Sequence, residues 1–129
     1  GDYAFLLYSP HSLCREFYIE CACNMMRPRT IVDYERIPWI LDAGTVRITF
    51  DSDVRAAIGS YDIFDPGLPA VSVLEPGKLI LEVKFTEMLP QLLRDVLPPP
   101  AAEFTAVSKY VLCYEKTRYM NGFEYWYET

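Results

Sequence analysis

A chain of 129 residues with 51% hydrophobic and 15% aromatic side chains is long and apolar enough for one packed domain spanning residues 1–129, which excludes a disordered tail or linker. Its formal charge of −6 argues against a surface that coats nucleic acid. A basic pocket on an acidic shell can still take an anionic substrate, because fields are local.

Ser9-Pro10 predicts a helix start, with Ser9 as N-cap and Pro10 at the first helical position. Leu13, Phe17, Cys21 and Met25 follow at intervals of four, and Cys14, Tyr18 and Ala22 widen the stripe, so this helix is expected to pack on a sheet. Pro28 stops it. Residues 29–39 are then rich in β-formers, with Thr30, Val32, Tyr34 and Arg36 on one face and Ile31, Asp33, Glu35 and Ile37 on the other. Both faces are mixed, and a bulge would change which of Glu35 and Arg36 faces inward.

Asp42-Ala43-Gly44 supplies turn chemistry, and 45–51 resumes a clean alternation. Val46, Ile48 and Phe50 form its apolar face, with Thr45, Arg47, Thr49 and Asp51 opposite, which predicts an antiparallel hairpin. From Ser52 to Gly77, three glycines and three prolines predict a mostly irregular connection, pinned by Tyr61, Ile63 and Phe64. Leu79, Leu81, Val83 and Phe85 alternate with Ile80, Glu82 and Lys84, a strand with one apolar side. Thr86 is expected to cap a helix carrying Leu89, Leu92, Leu93 and Val96, with Pro90 in its first turn. Pro98-Pro99-Pro100 makes a stiff connector. Phe104, Val107, Val111 and Tyr114 predict a last helix with Ser108 and Lys109 near its beginning, and Asn121-Gly122 suggests a terminal hairpin over 119–127.

The order helix, strand, strand, connection, strand, helix, helix predicts an α+β fold, an antiparallel sheet covered by amphipathic helices. Glu82 and Lys84 lie two positions apart on one face, about 6.6–6.8 Å along the strand, a spacing read as too wide for a tight ion pair and suited to a shared polyanion or metal-bound phosphate. If the sheet curls, Arg47, Glu82, Lys84 and Arg36 converge on its concave side, and such clustered charge implies an anionic ligand. Arginine forks and lysine ammonium groups suit phosphate, and a carboxylate suits a hard divalent cation. The plainer alternative is an ordinary sheet with one wet face.

Other chemistries find no support. His11 is the single histidine, and Cys14, Cys21, Cys23 and Cys113 have no Cys-x-x-Cys spacing, so a structural zinc site is not expected and free thiols in a reducing compartment are, with a disulfide from Cys113 to one of the others as the alternative. Cys21 and Cys23 fall on different faces of a helix. Neither a Gly-rich phosphate loop nor a Gly-x-Ser-x-Gly elbow occurs. No apolar run reaches the roughly 18–20 residues that span a bilayer, and no leader pattern is seen, so a soluble, cytoplasmic protein is expected.

Four stretches carry a resemblance. They are Arg27–Arg36, Val46–Asp51, Ile80–Phe85 with Leu89-Pro90, and Ser108–Leu112, and in this order they resemble the bacterial VTC domain. That family belongs to the triphosphate tunnel metalloenzymes, whose antiparallel barrel encloses a charged tunnel. The resemblance implies an inorganic polyphosphate polymerase that moves the terminal phosphoryl group of ATP onto a growing chain with a divalent metal, Mn or Mg. It also implies that Arg36 and Arg47 bind phosphate, that Glu82 holds the metal, that Lys84 projects into the tunnel, and that Ser108 and Lys109 meet phosphate from the start of the last helix. It covers residues 24–114 and lacks the family's early Glu-x-Lys and Arg-x-Arg strands, so the chain is expected to be the C-terminal half of a tunnel domain. Its open sheet edges would then favour a homodimer. A phosphate-binding module without catalysis and a triphosphate hydrolase are the competing readings.

Overall fold

The computed structural model describes residues 2–100 and 102–120. It is an α+β fold built on an open, curved antiparallel sheet. A short 3-10 turn at Ala4–Tyr8 leads into α1 (Ser12–Cys23), followed by β1 (Val32–Leu41), β2 (Val46–Ala57), β3 (Ala70–Ser72), β4 (Ile80–Lys84), α2 (Gln91–Val96) and α3 (Lys109–Thr117). The central strand is β2. β1 runs along one of its edges, from Val32 opposite Ala56 to Leu41 opposite Val46. The other edge is shared, β4 pairing with Arg47–Asp51 and β3 with Arg55–Ala57.

One irregularity decides which residues face inward. The β1–β2 register shifts between Asp33 and Glu35, and Asp53 across from it has φ 49°. A bulge of this kind breaks the two-residue alternation, so Asp51, Val54 and Ala56, which strict alternation would divide between two faces, are all fully enclosed. Val54 and Ala56 meet Cys113 of α3 in the core, with Val32, Val71, Val73, Leu74 and Ile80 packed around them.

Several expectations change here. The long connection is shorter than its composition suggests, because β2 continues to Ala57 and β3 returns to pair with it. Ile63 and Phe64 are exposed and do not pin it. Side-chain-capped turns shape it instead, with Ser60 Oγ accepting from the Asp62 N–H, Asp62 Oδ1 from the Phe64 N–H and Asp65 Oδ1 from the Gly67 N–H. The first helix begins at Ser12, with His11 in the cap position, while Ser9 Oγ accepts from the His11 N–H at 3.3 Å. Thr86 meets Thr45 rather than capping a helix, and α2 starts only after Pro90. Phe104 lies outside α3 and is exposed. The expected hairpin about Asn121-Gly122 lies outside the described residues.

The cover is also distributed differently. α3 packs on β2 and β1, whereas the main neighbour of α1 is the 3-10 turn before it. Leu13 and Phe17, expected to be the buried stripe of α1, are exposed. The apolar sheet face is only partly covered: Val46 is buried, whereas Trp39 is 62% and Ile37 59% exposed, with Leu79 and Phe85 about half so. The helix that covers the sheet lies over its polar face, the one carrying Asp51.

These positions predict unequal costs for a buried charge. Val54→Asp places an unpaired carboxylate in the enclosed core and is expected to remove several kcal/mol of stability. Leu81→Asp, on the half-open apolar face, can hydrate its charge and is expected to cost less than half as much. Urea denaturation of both variants measures the difference.

Candidate functional site

In an antiparallel sheet, residues opposite one another share a face. The register sets Arg36 opposite Asp51, Thr49 opposite Glu82, and Arg47 opposite both Ile40 and Lys84. Alternation along β2 then carries Arg47, Thr49 and Asp51 on one side, so Arg36, Arg47, Glu82 and Lys84 occupy a single face. Lys109 joins them from α3. The five charged residues expected to act together are therefore brought onto one surface.

Asp51 holds the enclosed end of this surface. Its carboxylate has no solvent exposure and accepts two parallel bonds from Arg36, Nε to Oδ1 at 2.7 Å and Nη2 to Oδ2 at 2.8 Å. Lys109 Nζ reaches Oδ2 at 2.6 Å. Tyr34 lies beneath both cations, its ring centroid 5.2 Å from the Arg36 guanidinium and 5.0 Å from Lys109 Nζ, a position that favours positive charge. The bond from Arg36, aided by Lys109, outweighs burial and lowers the Asp51 carboxyl from 3.8 to about 2. The same bond pushes the Arg36 guanidinium upward.

Asp51 and Tyr34 were assigned no role from sequence. A signal for Asp51 was present, since it continues the Arg47–Thr49 face and the expected strand facing it carries Arg36. Alternation along β1 likewise put Tyr34 on the Arg36 face, whereas the extra residue of β2 at Asp53 and Val54, opposite Tyr34, has no comparable sequence signature.

Glu82 and Lys84 form a pair after all. Lys84 Nζ lies 2.8 Å from Glu82 Oε1, so the expectation that two-residue spacing forbids a tight pair is wrong. Backbone spacing measures Cα positions, and the flexible lysine stem closes the remainder. Lys84 is the main cause of the lowered Glu82 pKa, with Lys109 and Arg36 adding to it.

Ser108 occupies the N-cap of α3, its Oγ accepting from the Val111 N–H at 3.2 Å. That bond starts the helix where Lys109 can turn to Asp51. Arg47 sits at the opposite, open end of the charged face, about 13–14 Å along the strand from Asp51. It is exposed, and no acidic partner engages it among the described residues. With Lys84 it lines a shallow, open groove around the strand ends, bordered by Ile40, Leu41, Val83 and Phe85.

A profile of the VTC domain matches residues 9–118. The chain belongs to the VTC domain family. The match begins at residue 9 and takes in α1, which the motif resemblance did not reach. No curated protein and no solved structure matches the chain.

Whether this VTC domain suits a divalent metal can be tested on its donors. Among the described residues no three His, Cys, Asp or Glu side chains gather in one place, so protein ligands alone do not make a cage. A magnesium-like ion is commonly held by one or two carboxylates together with substrate phosphates. Glu82, a partly exposed carboxylate with Lys84, Lys109 and Arg36 around it, has the chemistry for that shared mode.

Two predictions follow from Asp51. Asp51→Asn leaves Arg36 and Lys109 without their counter-charge and is expected to cost about 2–4 kcal/mol, toward the lower end for partners that reach water. Because its folded pKa lies below the unfolded 3.8, Asp51 contributes stability that is complete above about pH 4 and fades as pH falls toward 2. Urea midpoints measured from pH 5 to 2 should fall more steeply in the parent chain than in Asp51→Asn.

Proposed function

We propose that this VTC domain supplies the phosphate-handling wall of a metal-dependent polyphosphate polymerase, transferring the terminal phosphoryl group of ATP to an inorganic polyphosphate chain. The single observation that carries the reading is the placing of Arg36, Arg47, Lys84, Lys109 and Glu82 on one face of the sheet in a chain of this family. We further propose that the face belongs to a tunnel of the triphosphate tunnel metalloenzyme type, of bacterial origin, and that this chain is its C-terminal half.

In such a reaction an anionic oxygen at the end of the acceptor forms a new bond to the γ-phosphorus, and the bond from that phosphorus to the β–γ bridging oxygen breaks, releasing ADP. The acceptor oxygen is already ionised, so no protein base is required. Catalysis then rests on holding the two phosphate chains in line and balancing their charge. Arg47 and Lys84 bind phosphate at the open end. Arg36 and Lys109, oriented by Asp51, present their remaining N–H donors at the enclosed end. Ser108 fixes the start of α3 and so the place of Lys109. A Mn or Mg ion held by Glu82 and phosphate oxygens would neutralise charge on the transferring group.

A second reading, a phosphate-binding module without catalysis, is favoured by the absence of a cluster of three metal-ligating side chains among the described residues. A triphosphate hydrolase is the third. Incubation of the chain with ATP and Mn²⁺ separates them: long polyphosphate on a gel supports the polymerase, inorganic phosphate alone the hydrolase, and neither product with measurable tripolyphosphate binding the module. Failure to bind tripolyphosphate at all would overturn every phosphate-handling reading. Within the proposal, Arg47→Ala is expected to lower tripolyphosphate affinity about tenfold, the effect of one lost charge-assisted contact of about 1.4 kcal/mol. Added salt should narrow the difference.

We also propose cytoplasmic residence and self-association through the sheet edge. No helix among the described residues is long and apolar enough to cross a membrane. The outer edge of β1 meets no strand among the described residues, yet Pro38 within it has no N–H to offer an added strand. Pairing there should use the ends of β1 and remain weak. Sedimentation equilibrium is expected to show a dimer at high concentration, and a strictly monomeric chain would remove this part of the proposal.

A further inference from the structure

We propose that the Lys84–Glu82 ion pair makes metal binding at Glu82 conditional on phosphate. This inference rests on the phosphate-handling reading of the same face. The observation behind it is the ion pair: Lys84 Nζ sits 2.8 Å from Glu82 Oε1, so the carboxylate assigned to the metal already carries a cation.

Two consequences follow from charge alone. A dication approaching Glu82 must displace an ammonium group and then remain beside it, an arrangement that like-charge repulsion opposes. Arg36 and Lys109 stand on the same face, and Asp51 balances only part of their charge. A polyphosphate changes both conditions. Its oxygens give the Lys84 ammonium an alternative partner, and their negative charge offsets the repulsion.

Lys84 is suited to this exchange. Its side chain is 64% exposed and that of Glu82 36% exposed, so the pair can open without disturbing the core. A lysine ammonium is a mobile point charge on a flexible stem, unlike the bidentate clamp that holds Arg36 to Asp51. Thus one end of the face is a fixed clamp and the other a pair that can exchange partners. By linkage, a metal that binds better with phosphate present must strengthen phosphate binding by the same factor.

The test is calorimetric titration of the whole chain with Mn²⁺ alone, in the parent, Lys84→Met, Lys84→Gln and the double variant Glu82→Gln/Lys84→Met. Circular dichroism checks that each variant is folded. Lys84→Met and Lys84→Gln should bind Mn²⁺ at least tenfold more tightly than the parent, and the double variant should lose that gain. Titration with tripolyphosphate, with and without Mn²⁺, supplies the other half of the cycle. Mn²⁺ should raise tripolyphosphate affinity more in the parent than in Lys84→Met. If the parent binds tripolyphosphate but removing the Lys84 charge leaves Mn²⁺ affinity unchanged or weaker, the inference is overturned while the phosphate reading survives. If the parent binds no tripolyphosphate under either condition, the phosphate reading fails and takes the inference with it.

Discussion

A single enclosed carboxylate organises the polar face of this domain. Asp51 is fully buried, and an isolated charge in that position would be costly, so its environment must supply cations. Arg36 comes from the neighbouring strand and Lys109 from the first turn of α3. One interaction therefore ties together β1, β2 and the helix that covers them. It also explains why the cover lies where it does. α3 is drawn to the polar face through Lys109 and anchored beside it by Cys113 among Val54 and Ala56, while Ile37 and Trp39 on the apolar face stay exposed.

That arrangement inverts the usual economy of a small sheet. An antiparallel sheet commonly buries its apolar side and wets its polar one. Here the polar side carries the enclosed residues Thr49 and Asp51, and the opposite side leaves Ile37 and Trp39 largely exposed. The charged face grades from the bidentate clamp around enclosed Asp51 to the exposed Arg47 and the partly exposed Glu82–Lys84 pair. Under the proposed function, an elongated anion would be gripped at one end while its other end stayed open to solvent.

Much of this was legible in the residues. Alternation in 45–51 and 79–85 placed Arg47, Glu82 and Lys84 on a shared face, and the short turn at Asp42-Ala43-Gly44 correctly implied the hairpin. Ser108 and Lys109 were read at the start of the last helix, where they stand. What alternation does not encode is which face is covered, because that depends on a contact far along the chain, from Asp51 to Lys109. Nor does it encode the bulge at Tyr34 and Asp53, which turns Val54 and Asp51 to the same side. The Glu82–Lys84 pair escaped because strand rise fixes backbone separation and says little about the reach of a lysine.

The central claim is that the face built around Asp51 is the surface that meets phosphate. The chain's four lysines permit a direct measurement, mass-spectrometric footprinting of their acylation rates with and without tripolyphosphate and Mn²⁺. Lys84 and Lys109 lie on the charged face, whereas Lys78 pairs with Glu75 outside it and Lys116 sits in the last turn of α3. Lys109, enclosed against Asp51, is expected to react slowly throughout; the account predicts that Lys84 slows markedly while Lys78 and Lys116 react as before. A Lys84 rate unchanged by tripolyphosphate and Mn²⁺, or protection confined to Lys78 and Lys116, would contradict it.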